Sequence, residues 1–182
     1  MGEAQTPKLY DIAPLTGMHP EIGLLAAALE DGTREWREEL GRVSPDALVW
    51  QPFPGGHSIG ALILHNIDVE AYWIEQFCAG KNRPEGEERL LLSEETHQYS
   101  VEWPKPPKKP LKWYFEFQDR IRERTLKTLK DFSDPDRVIP MGKKNRFSVR
   151  WVLSHVVTHE AYHGGQAVLL KLMWDKRSKL DL

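Results

Sequence analysis

The chain has 182 residues, enough for one domain with one sizeable core. Hydrophobic residues make up 40% and charged residues 29%, with a net charge of −2, which is ordinary for a soluble globular protein and leaves no basic surplus for nucleic acid. A single cysteine, Cys78, excludes an intrachain disulfide and fits a reducing, cytoplasmic setting, and no apolar run approaches the roughly 20 residues that span a bilayer.

The N-terminus has no positive start followed by an apolar region, so no signal peptide is expected. Met1-Gly2 matches the loose N-myristoylation pattern, but Glu3 beside the glycine argues against it. Residues 1–18 read as an extended arm, with Pro7, Pro14 and Gly17 and no sustained period. Pro20 suits a first helical turn. From Glu21 to about Leu40, the residues Ile22, Leu25, Leu29, Trp36 and Leu40 form a helical stripe that Gly41 can stop. Ser44 to Gly56 reads as a connection rich in Pro and Gly.

Ser58 can cap a second helix running to about Phe77. His65 lies in its apolar stripe, either as a satisfied core residue or as a ligand facing the bundle interior. Residues 80–109 form a long charged connection containing Trp103, of the kind that often serves as a lid or binding loop. Lys105, Lys108, Lys109 and Lys112 sit there among prolines and read as a solvated linker. Pro110 can open a third helix carrying Trp113, Phe117, Ile121 and Leu129, to about Phe132. Ser133 to Arg146 is a second connection with a short extended segment at Val138-Ile139-Pro140. Ser148 can cap a fourth helix to about Trp174, and residues 175–182 read as a charged, frayed tail. Four amphipathic segments and no sustained period-two run predict an all-α fold, an up-down four-helix bundle with long connecting loops over residues 19–174.

The fourth helix carries His155, His159 and His163, one every fourth residue. Neighbours in such a series differ by about 40° around the axis and about 6 Å along it. Two can reach one metal ion, but His155 and His163 lie about 12 Å apart along the axis, too far for all three to share it easily. Bundles build metal sites from facing helices. His65 with His159 and His163 would supply three neutral imidazoles and leave one open position. That donor set suits zinc, and also nickel, copper or iron. A bound water would become a nucleophile near neutral pH, or a thiolate could occupy the same position.

His159-Glu160-Ala-Tyr-His163 is also a literal H-E-x-x-H metalloprotease match. The extended form wants a glycine and a histidine at fixed places downstream, where this chain has Gln166 and Leu169, and no glutamate follows Glu160. A third ligand upstream, on another helix, fits better.

The order Trp50-Gln-Pro-x-Pro-Gly-Gly-His-Ser58, then Ser58-Ile-Gly-Ala-Leu-Ile-Leu-His65-Asn-Ile-x-x-Glu-x-Tyr-Trp73, then His155-x-x-x-His159-Glu-x-x-His163-x-Gly-Gln166, resembles the DinB superfamily over roughly residues 20–174. The resemblance implies a four-helix bundle, frequently dimeric, with a metal on His65, His159 and His163. The family often has arginine where this chain has Gly164, a departure that spares the metal site and removes a cation. Relatives of this kind include thiol S-transferases, which use the metal to activate a low-molecular-weight thiol, and metal-dependent hydrolases. The resemblance therefore implies a divalent metal, zinc or nickel foremost, a small-molecule substrate, and a possible homodimer. The alternative is a non-catalytic stress or interaction protein with a structural or vestigial metal. A metal-free bundle with ordinary buried histidines is a third reading.

Around the three ligand candidates, His155, Glu160, Asp68 and Gln166 are supporting or pocket candidates. A ligating imidazole donates its other N–H to a neighbour, and Gln166 could bond across the bundle or to substrate. Glu160 points about 100° away from His159 and would serve another group. His57, before the second helix, can face the pocket or be solvated. Gly164 and Gly165 cost helix propensity, about 1 kcal/mol each, for which close helix packing is the expected reason.

Overall fold

A computed structural model describes residues 9–86 and 102–180. The N-terminal pattern Met1-Gly2 and the middle of the long connection lie outside the described residues. From residue 9 the arm leads to α1, and the Leu15 N–H bonds the Gly23 carbonyl at 3.2 Å. A Cβ at Gly23 would meet the Leu15 backbone at 3.0 Å, so the absent side chain lets the arm lie on the helix.

α1 spans Pro20–Leu40, with proline in its first turn and Gly41 beyond its end at φ 59°. α2, Pro45–Val49, is a short helix inside a stretch that the sequence presents as a connection. Ser44 caps it through the Ala47 N–H at 3.2 Å. α3 spans Ile59–Glu70, capped by Ser58 through the Ala61 N–H. It continues without a break as a π-helical segment, Ala71–Cys78. The Ala79 N–H reaching the Ile74 carbonyl is an i→i+5 bond of this wider coil. α4 covers Leu111–Leu129 and α5 covers Val149–Leu180. Between them β1, Val138–Met141, pairs antiparallel with β2, Asn145–Ser148, through a turn with Gly142 at φ 64°. The expected extended segment at 138–140 is thus one arm of a hairpin. α5 runs past the expected end near Trp174, where Lys171 pairs with Asp175 at 2.6 Å and Arg177 lies over the Trp174 ring.

The four long helices pack together as the expected all-α four-helix bundle. Their directions do not simply alternate. Glu21 meets Arg150 and Trp36 meets Glu160, so α1 and α5 run the same way. His65 meets His159 and His163 while Trp73 meets Trp151, so α3 runs against α5. Gly60 faces Tyr114 and Glu70 faces Arg122, so α4 runs with α3. The order is up-down-down-up. The end of the helix that begins as α3 and the start of α4 therefore lie at opposite ends of the bundle, which calls for a long connection between them.

Among the described residues, two apolar clusters fill the interior. One gathers Trp36, Leu62, Tyr114, Phe117 and Leu170. The other gathers Ile22, Leu29, Ile74, Leu129 and Val156. Between them runs a layer of buried polar groups, among them Thr33, Glu70, Gln118, Arg122, Thr125 and Glu160. Among the described residues no helix is long and apolar enough to cross a membrane.

Candidate metal centre

His65 enters from α3 and His159 and His163 from α5, where the two helices run antiparallel. One ligand-capable nitrogen from each of the three lies within 4.8 Å of the others. The Nε2 atoms of His65 and His159 are 3.1 Å apart. A tetrahedral ion with metal–nitrogen bonds of about 2.0–2.1 Å holds its nitrogens about 3.3 Å apart, so this spacing fits the expected centre. His65 and His163 are buried and His159 is half-buried.

Burial sets the protonation state. It pushes His65 and His163 down to about 4. His159 falls to about 2, through burial first and then the neighbouring His163, His65 and His155. All three imidazoles are neutral near pH 7, the form that a metal ion requires. His163 is also oriented: its Nδ1–H donates to Gln166 Oε1 at 2.6 Å, one turn along α5. That bond leaves Nε2 as the acceptor nitrogen. Gln166 therefore bonds within its own helix, to one of the three histidines, and not across the bundle.

The remaining candidates divide. His155 stands apart from the group of three. Its ring stacks on Trp151 at 5.0 Å and 7°, meets Trp73 edge-on, and lies 5.6 Å from the His159 ring. Asp68 pairs with Arg83 at 2.6 Å, and its charge favours protonation of His65 against the effect of burial. Glu160 is turned into the polar layer. Its Oε1 accepts from Thr33 at 2.6 Å, Gln118 at 2.8 Å and the Trp36 indole at 3.1 Å. Its Oε2 accepts from Arg122 at 2.7 Å, and Arg122 also grips Glu70. These bonds reach α1 and α4, and α3 through Arg122, so this carboxylate has a structural task away from the histidines. His57 is half-buried with its ring 3.9 Å from Trp103, and burial and the neighbouring His65 lower its pKa.

Sequence reasoning placed Trp103 in a long connection of the lid or binding-loop kind without setting it beside the histidines, and it missed Arg122. Trp103 is buried, with its ring 5.4 Å from that of His65. It stands beside the histidines because two loops are tied together: its N–H bonds the Gly55 carbonyl at 2.9 Å, and Gln51 Nε2 bonds the Trp103 carbonyl at 3.0 Å. An aromatic residue inside a long charged loop was the available sign. Arg122 sat unmarked in a helix with several other charges.

The family model described as the DinB superfamily matches residues 28–167, well over half of the chain. The chain belongs to the DinB superfamily. No curated protein matches it. Within this DinB-superfamily bundle, Gly164 has a clear packing reason. A Cβ there would stand 2.6 Å from Trp36 Cγ, so a larger residue would push α1 away from α5. Gly165 differs: a Cβ there would meet nothing within 4 Å, and close packing does not account for it.

Proposed function

We propose that this DinB-superfamily protein holds a divalent metal ion, zinc or nickel, on His65, His159 and His163, and acts on a small molecule as a thiol S-transferase or a hydrolase. The observation that carries the reading is the convergence of three neutral imidazoles from two antiparallel helices within 4.8 Å. Among the described residues no fourth His, Cys, Asp or Glu joins that group, which favours an open position over a closed structural site. Bound there, the metal would lower the pKa of a water or thiol and so supply a nucleophile at neutral pH.

The chain's own residues supply the frame. Gln166 fixes the His163 tautomer, and His155, stacked on Trp151, packs its ring 5.6 Å from that of His159. Cys78 is not a competing nucleophile, because burial pushes its thiol up to about 11. Glu160 is committed to Arg122 and three further donors, so the H-E-x-x-H reading loses its general base.

The test is turnover with a panel of low-molecular-weight thiols and an electrophile, and with simple ester and amide substrates, in metal-free and in zinc- or nickel-loaded protein. Metal-dependent turnover that disappears in His159→Ala is expected. Full metal loading with no turnover on any substrate would instead support a structural metal in a non-catalytic stress or interaction protein.

A further inference from the structure

Trp103 borders two features of the site. Its ring centroid is 5.4 Å from His65 and 6.4 Å from His163. It also lines a recess of about 720 Å3 together with Trp50, Phe53, Gly55, Glu102 and Lys105. Trp103 is 4% exposed, and among the described residues its Nε1–H has no hydrogen-bond acceptor. Such groups are rare in folded proteins, because a buried donor forfeits its water without recovering a bond. An indole N–H in this state is stabilised when an acceptor arrives.

The ring is also held in place. Its backbone is bonded to Gly55 and Gln51, and the His57 ring packs on it at 3.9 Å. A Cβ at Gly55 would strike Glu102 at 2.7 Å, so the two loops are in close contact. The donor is therefore preorganised and need not be ordered when a ligand enters.

We infer that Trp103 is a specificity-determining residue of the histidine centre, donating its indole N–H to an oxygen of a small carboxylate-bearing ligand bound there. The inference rests on the proposed metal site. It adds a chemical class: the ligand carries an acceptor oxygen within reach of its metal-binding atom. A plain thiolate satisfies the metal alone, whereas a carboxylate satisfies both the metal and the indole.

The test uses cobalt-loaded protein, whose visible spectrum reports ligands entering the metal shell, with acetate and ethanethiol as probes. Metal content is measured first. In Trp103→Phe, which keeps the ring and loses the donor, acetate binding should weaken about tenfold, the usual worth of a charge-assisted hydrogen bond. Ethanethiol binding should stay within about twofold, since a thiolate makes no such bond. Equal weakening of both probes, or of neither, would overturn the assignment. Loss of cobalt in the variant alone would also overturn it, by making Trp103 a support of the site. Absence of cobalt from the wild type would instead overturn the metal reading itself. Should the variant fail to fold, the zinc-loaded wild type decides. One indole N–H resonance moving downfield with acetate and not with ethanethiol supports the assignment, and seven unmoved indole signals overturn it.

Discussion

Glu160 follows His159 by one residue, and one residue along a helix is about 100° of rotation. That rotation separates two tasks. His159 meets His65, while Glu160 enters a layer in which two carboxylates share the guanidinium of Arg122. Burial opposes the charge on Arg122, but Glu70 and Glu160 more than offset it and raise its pKa. Removing one acid leaves Trp36, Gln118 and part of Arg122 without an acceptor, while the Thr33 hydroxyl can still donate to the Leu29 carbonyl. We therefore expect Glu160→Ala to lose about 3 kcal/mol of stability in denaturant unfolding. A change below about 0.5 kcal/mol would mean the layer is not structural. The spacing of His159 and His163 was legible in the sequence because four residues bring side chains back to one face. The destination of Glu160 was not, since it depends on Arg122 and Glu70, which only folding brings near.

Helix boundaries were legible where local chemistry fixes them. Pro20, Ser58 and Ser148 all stand at helix starts, and Ser58 and Ser148 accept from N–H groups three residues on. The π-helical segment was not legible. Ala71–Cys78 continues the apolar pattern of α3, and its register is held by distant partners such as Arg124, which bonds Glu75 at 2.7 Å. The hairpin was half legible: Val138–Met141 has strand-like residues, but Asn145–Ser148 takes its strand form from pairing. α5 offers a test inside one element. Gly164→Ala should destabilise by about 1–3 kcal/mol, since its Cβ would stand 2.6 Å from Trp36 Cγ. Gly165→Ala should stabilise by up to about 1 kcal/mol, since its Cβ meets nothing within 4 Å and alanine favours helix. Paired thermal melts check both, and equal shifts of the same sign would contradict the packing account.

On the scale of the whole molecule, the antiparallel run of α3 against α5 brings residue 65 beside residues 159 and 163. The family resemblance and the apolar stripes made the bundle legible, but helix direction was not, because amphipathic periodicity is the same whichever way a helix points. The centre also has a thermodynamic cost. His65 and His163 are held down to about 4 in the fold, whereas an unfolded histidine titrates near 6.5. As pH falls below about 6.5 the unfolded chain binds these protons first, so the metal-free protein should lose stability between about pH 6.5 and 4. Unfolding midpoints of metal-free protein measured from pH 7 to 5 should decline, and the decline should shrink in His65→Phe; a flat profile would contradict the burial of neutral imidazoles. The central claim is that imidazoles from two helices share one ion, and elemental analysis after zinc or nickel loading tests it most directly. The account predicts about one metal per folded chain in the wild type and almost none in His65→Ala, His159→Ala or His163→Ala. Unchanged metal content in all three folded variants would contradict it.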